Sequence, residues 1–421
     1  MQSSDSHSKP FIVVSAYSFA PRQGYESGTA WATVLTLLQE YRVIVVCVGH
    51  YRPYFKEDDL DELKKLGAEV IFFEDEKHYW ILRLPGMFWH KIYYTFWQRA
   101  TRELFKSLVS KYQPVAIQHV NWGTGRAETS IVGHGIPVIF GPVGGFESGN
   151  RQTDQGLGWR LRFEEELRRF HIRKSMRSET LKKMYRQIDL VLACTKESAE
   201  KIEILGARRL ERITNAGISK AKFDELQILR KNKSRKGSHL KLFFASRLVG
   251  WKGEELAIRA LAALNDITTE LTILGSGKNL SRCTNLAKNL NVSHRIHFIS
   301  FLPRWDDIWS LYINSDVFLF LSLHDSGGTG ALEAMAAGLP VICLDLGGPG
   351  EYIDDTCGVK IPPNETLVVV EKIAHAIQEL RDNVELRQLK GKKAAEKCGE
   401  HFTWEARGAK LLNKIRSVWN P

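Results

Sequence analysis

Two cations stand close together in a short loop, Ser246-Arg247-Leu248-Val249-Gly250-Trp251-Lys252-Gly253, between an apolar run at Leu240–Ala245 and an amphipathic stretch from Glu254 to Leu264. A guanidinium and an ammonium beside a helix start add to its free N–H groups, which already favour an anion. A diphosphate suits such a place. Alone, the loop reads better as two surface cations in a strand-to-helix turn. A second constellation lies farther along: Asp325 and Glu333, eight positions apart, with Ser326-Gly327-Gly328-Thr329-Gly330 between them. Glycines at 327, 328 and 330 let backbone amides approach a ligand without a Cβ in the way, and a helix is predicted to begin near Thr329. Carboxylates accept strong hydrogen bonds from sugar hydroxyls.

The first half of the chain carries weaker signals. Pro21-Arg22-Gln23-Gly24-Tyr25-Glu26-Ser27-Gly28 lies between a predicted strand and a predicted helix. His119 ends an apolar run, and Gly141-Pro142-Val143-Gly144-Gly145-Phe146-Glu147 follows the next one. Each has an ordinary structural reading as well. The six cysteines are scattered without the close pairs of a zinc or redox motif and read as reduced thiols. Glu74-Asp75-Glu76 and Asp306-Asp307 read as solvated turns or helix starts, so no metal site is expected.

These groups need elements to hold them. Short apolar or β-branched runs alternate with helical patterns: Phe11–Ala16, Val43–Val48, Val70–Phe73, Val115–His119, Val138–Phe140 and Ile188–Cys194 come first. Leu240–Ala245, Leu271–Leu274, Ile296–Ile299, Val317–Leu321 and Val341–Leu344 follow the charged stretch Leu229–Ser238. Such alternation predicts an α/β fold with two doubly wound parallel sheets, which bind ligands at the carboxyl ends of their strands. The expected division is a Rossmann-like domain over 1–225, a linker over 226–239, a second Rossmann-like domain over 240–400, and a closing helix over 401–421. A length of 421 residues with 43% hydrophobic and 25% charged side chains fits two globular domains and excludes a disordered or fibrous chain. With no run of about 18 uncharged apolar residues and a polar start, the expected location is cytoplasmic.

The two cation and carboxylate motifs, with the run Glu333-Ala334-Met335-Ala336, resemble glycosyltransferase family 4, whose members have the GT-B fold. Thr214-Asn215-Ala216-Gly217-Ile218 is similar to the family's Asn-Gly-Val-Asp segment, and Phe402-Thr403-Trp404-Glu405 to the start of its closing helix. The resemblance spans nearly the whole chain. It implies two domains facing across a cleft, with the last helix crossing back to the first domain. It also implies a retaining hexosyltransferase that moves a sugar from a nucleotide diphosphate sugar to a saccharide or lipid-linked acceptor, in polysaccharide or glycolipid synthesis. Carried over by position, Arg247 and Lys252 would bind the donor diphosphate, Asp325 would meet the transferred sugar, and Glu333 would hold the ribose. Gly327, Gly328, Thr329 and Gly24 would line the donor, His119 would stand near the reacting sugar, and Glu26, Gly144, Gly145 and Glu147 would face the acceptor. No cofactor and no obligatory metal is implied. The chain departs from the family with Asp325 where Glu is usual, and with Ser326-Gly327-Gly328 where Gly-Phe-Gly is common; both bear on the donor sugar.

Arg151–Lys236 holds 23 Lys and Arg against 12 Asp and Glu, so it carries the whole net charge of +11. It reads either as a solvated helix face with a linker or as the site of a polyanionic partner. Aromatic Leu84–Trp97 and basic Trp159–Tyr185 together suggest peripheral docking of the first domain on an anionic membrane; the other reading of the aromatics is core. Nucleic acid is not an expected partner, since no zinc-finger spacing or RNA-binding signature is present. A catalytically silent scaffold of the same fold is the alternative to an enzyme.

Overall fold

A computed structural model describes residues 9–22, 25–84, 87–232, 239–264, 266–304 and 306–418. They form two compact units, each built on one parallel sheet. The first sheet contains β1 (Phe11–Ala16), β2 (Arg42–Val48), β3 (Ala68–Phe73), β4 (Ala116–Asn121), β5 (Val138–Val143), β6 (Leu190–Ala193) and β7 (Leu210–Arg212), in the order β3-β2-β1-β4-β5-β6-β7. The second contains β8 (Leu240–Ala245), β9 (Thr269–Leu274), β10 (Ile296–Ile299), β11 (Val317–Phe320), β12 (Val341–Leu344) and β13 (Gly358–Ile361), in the order β10-β9-β8-β11-β12-β13. Runs such as Ile12-Val13-Val14 and Val43-Ile44-Val45-Val46 are buried on both faces because helices cover both. Successive strands add to one side of β8 and then, from β11, to the other. The order therefore reverses between β8 and β11, and likewise between β1 and β4, where connections diverge and leave a crevice at the strand ends.

The units do not follow the expected boundaries. The first comprises 1–146, 172–215 and 407–421, and the second 147–171 and 216–406. Residues 147–171 join the second unit because they are tied to it. Leu157 and Leu161 lie in its core, Thr153 Oγ1 donates to Asn364 O at 2.8 Å, and Gly156 N donates to Thr366 Oγ1 at 2.9 Å. The helix Lys220–Lys231 also belongs there, with Leu226 buried and Arg230 donating to Ile313 O at 3.0 Å. Of the expected linker, residues 233–238 lie outside the described residues. At the other end, Leu411, Leu412 and Ile415 of the helix Trp404–Arg416 pack in the first unit's core with Val14, Val43 and Val45. Lys414 pairs with Glu211 at 2.5 Å.

Much of the aromatic stretch, among the described side chains, belongs to the core. In the helix Met87–Tyr112, Tyr93, Tyr94 and Trp97 are buried, and the Trp97 indole donates to Phe73 O at 3.1 Å. Pro85 and Gly86 lie outside the described residues. Among the described residues no helix is long and apolar enough to cross a membrane.

Candidate functional site

The second unit brings the strongest motifs together because β8 and β11 are neighbours. The loop after β8 leads through Gly253, whose φ is +82°, into the helix Glu254–Ala263. A Cβ at Gly253 would lie 2.1 Å from Leu321 O, so only glycine lets the loop press against the end of β11. Glu254 fixes the loop from below. Its buried carboxylate accepts from Gly250 N at 2.6 Å and from Asn279 Nδ2 at 2.9 Å. Burial raises its pKa despite these donors.

Lys252 is thereby set over the rings of Trp251 and Phe320, 4.3 and 5.7 Å from their centroids. Its Nζ lies 2.5 Å from Asp325 Oδ2. Asp325 Oδ1 also accepts from Gly327 N at 3.2 Å and Gly328 N at 2.9 Å. Burial works against the charged carboxyl, but the ammonium and the two amides hold its pKa below the ordinary value. Gly328, at φ +65°, caps the helix Thr329–Ala336, and a Cβ there would strike Pro349 at 2.3 Å. Arg247 differs from Lys252: it is exposed and makes no hydrogen bond or ion pair with another described residue.

Glu333 stands one turn into that helix. Tyr312, itself buried against Phe243 and Phe318, donates its hydroxyl to Glu333 Oε2 at 2.8 Å. Burial outweighs this bond and pushes the carboxyl up to about 7. The group is thus poised to gain its charge near neutrality.

Glu147 has moved from its expected setting. Gly144 and Gly145 lie in the first unit, where Gly144 N donates to Gly123 O at 2.8 Å. Glu147 lies in the second, its buried carboxylate accepting from Ser326 Oγ at 2.8 Å with an Arg168 nitrogen 4.0 Å away. The units part between Phe146 and Glu147, so Glu147 is held apart from the two glycines that precede it in the chain. His324 is also anchored from this segment. It stacks on Trp251 at 4.4 Å and shares a hydrogen bond of 3.1 Å with Glu165. Burial lowers its pKa.

In the first unit His119 lies on β4, beside β1, and is fully buried. Its ring nitrogens share hydrogen bonds with the Tyr94 and Ser15 hydroxyls, each at 3.0 Å, and burial pushes its pKa down to about 3. A neutral imidazole with both nitrogens engaged ties β4 to Tyr94 and to Ser15 of β1. Glu26 accepts a long 3.4 Å bond from Gly123 N, and Gly24 lies outside the described residues. Among the described residues no three His, Cys, Asp or Glu side chains gather as metal ligands.

Sequence reasoning missed Glu254, Tyr312, Glu165 and His324. Glu254 sits in an acidic first helical turn and Tyr312 in a cluster of buried aromatics, settings that carry no local mark of function. The run Gly347-Gly348-Pro349-Gly350 after β12 was a visible signal: Gly348 N donates to Asp325 O at 2.8 Å.

Residues 227–397 match the family model for glycosyl transferases group 1. The chain is 30% identical over 177 residues to a D-inositol 3-phosphate glycosyltransferase of Corynebacterium diphtheriae, covering 40% of each chain. It is 32% identical over 165 residues to the N-acetyl-alpha-D-glucosaminyl L-malate synthase of Bacillus anthracis, covering 38% of this chain and 40% of that one. The matched part thus spans about two fifths of the length of these curated relatives. Similarity of fold extends further. A glycosyltransferase from Rickettsia africae superposes with TM-score 0.63 at 16% identity, covering 98% of this chain and 99% of that one. Anabaena HepE, solved with UDP and glucose, gives 0.60 at 17%, covering 97% and 100%. Residues 227–397 are thus a glycosyl transferases group 1 segment, and the chain, with its two parallel α/β sheets, shares the GT-B fold of these glycosyltransferases.

Proposed function

We propose that this protein transfers a sugar, with retention of anomeric configuration, from a nucleotide diphosphate sugar to a saccharide or lipid-linked acceptor. One observation carries the reading: Lys252, Asp325 and the amides of Gly327 and Gly328 converge at the crevice between β8 and β11, where Arg247 has no ion-pair partner among the described residues. In the reaction a bond forms between an acceptor oxygen and the anomeric carbon as the bond from that carbon to the diphosphate breaks. The acceptor proton leaves with the diphosphate. Negative charge grows on the departing group, and preorganised cations there lower the barrier. Arg247 can meet that charge without surrendering a partner, and Lys252 can share its ammonium between Asp325 and a phosphate. Glu333 holds ribose hydroxyls, and Asp325 and Ser326 face the transferred sugar. The positive charge comes from side chains, so no metal is required. HepE, the structural neighbour solved with UDP and glucose, supports a nucleotide-sugar donor.

One observation favours a catalytically silent protein of the same fold: Lys252 is already neutralised by Asp325. Donor consumption separates the two. A panel of nucleoside diphosphates is screened by thermal shift, and the sugar donors of those that stabilise are incubated with the protein in the presence of EDTA. Release of the nucleoside diphosphate is the expected result. Stabilisation without release would leave a binding protein.

A further inference from the structure

The helix Trp159–Met176 leaves apolar side chains uncovered on one face. Trp159 is 72% exposed, Phe163 65%, Leu167 44% and Phe170 54%. At 3.6 residues per turn these four fall within an arc of about 80°. The opposite face is satisfied: Leu161 and Ile172 are buried, Glu165 meets His324, and Arg169 pairs with Asp154. The uncovered face is therefore not a core face awaiting a better fit. Scattered single hydrophobics on a surface are ordinary, but four in one helical stripe mark a contact surface.

The charges beside the stripe say what it contacts. The same spacing puts Arg162 and Arg173 along one border, Arg160 along the other, and Lys174 at the C-terminal end of the stripe itself. All four are exposed, and none forms an ion pair or hydrogen bond with a described residue; Arg160 only lies over the Trp159 ring, 5.3 Å from its centroid. The nearby carboxylates are spent elsewhere. Glu166 is held by Arg151 and Arg169, each at 2.9 Å, and Glu164 by Lys278. The face thus presents bare aromatic rings edged by unpaired cations. We infer that this helix docks on an anionic lipid bilayer, its rings entering the headgroup boundary and its cations meeting lipid phosphates. A protein partner would have to bring a carboxylate to each of the four cations beside an apolar face, whereas an anionic bilayer offers phosphates and an apolar boundary together at any point.

The inference stands apart from the glycosyl-transfer reading, because binding is scored without substrate. The full chain is sedimented with vesicles of phosphatidylcholine alone and with an added third of phosphatidylglycerol, at low and high salt. Binding to the anionic vesicles at low salt, weakened by high salt, is expected. Phe163→Ser with Phe170→Ser should reduce it at least tenfold at unchanged circular dichroism. Arg160→Ser with Arg162→Ser, which keeps the rings, should reduce it about fivefold per cation at low salt and little at high salt. Equal sedimentation with both vesicle types, none with either, or variants that bind like the wild type would overturn the inference. So would a lipid-free dimer that Phe163→Ser with Phe170→Ser turns into a monomer, since a second copy would then cover the stripe.

Discussion

Lys252 and Asp325, 73 residues apart in the chain, form one ion pair at 2.5 Å across the point where the second sheet reverses its strand order. Two residues read as separate donor contacts act as one electrostatic unit. Removing one partner of a largely buried pair costs about 3 kcal/mol, because the other charge stays behind. Asp325 titrates below its unfolded value of 3.8, so the stability it contributes is present above that pH and is lost as pH falls through the lower folded value. Asp325→Asn should therefore melt well below the wild type at pH 7, and the gap should narrow below about pH 4. A gap independent of pH in thermal melts would disconnect the carboxylate charge from stability.

Arg247→Ala should separate activity from folding. Loss of a cation at the departing diphosphate should cost about 3 kcal/mol of transition-state stabilisation, roughly a hundredfold in turnover. Because the side chain is exposed and unpaired among the described residues, melting should stay within about 0.5 kcal/mol of the wild type. Wild-type turnover in this variant would remove Arg247 from the site.

Glu333 should make both stability and donor binding depend on pH. Its folded pKa of about 7 lies above the ordinary 4.5, so its contribution is full below 4.5 and declines as pH rises toward 7. Wild-type melting, compared with Glu333→Gln, should fall across that window and level off above it. Donor affinity should run the other way, rising toward pH 8 in the wild type as the carboxylate gains charge, and staying flat in the variant. Tyr312→Phe removes a bond that favours the charged form and should move this rise to higher pH.

His119 should prove a positioning residue. His119→Ala removes the bonds to the buried Ser15 and Tyr94 hydroxyls, leaving the latter only its bond from Gln98, and should cost about 1–3 kcal/mol in unfolding experiments. Turnover measured well below the melting transition should change less than threefold. In the wild type its ring signals in NMR spectra should show no titration between pH 5 and 8. A large fall in turnover at unchanged stability would restore it to the reacting centre.

Several strands were legible to the residue, among them Phe11–Ala16 and Val341–Leu344, because strands buried on both faces are written as nearly unbroken apolar runs. Edge strands Leu210–Arg212 and Gly358–Ile361 went unread, since partial exposure lets charged and polar residues in. Arg247, Lys252, Asp325 and Glu333 were legible from their places after β8 and β11. The partners that tune them were not. Tyr312, Glu165 and Glu147 reach the site from 21 to more than 150 residues away, and nothing in their local sequence marks them. The aromatic stretch through Trp97 and the apolar stripe through Phe163 have similar spacing, and only the fold decides which one is covered.

The membership of Leu411, Leu412 and Ile415 in the first sheet's core has a consequence for synthesis. A chain emerging from the ribosome presents β1, β2 and β4 early, but the helix that packs on one face of their sheet follows the whole of the second unit. Until it is made, Ile12, Val14 and Val45 lack part of their cover. The first unit is completed only after the second, so disrupting the helix Trp404–Arg416 should be felt in the half made earlier.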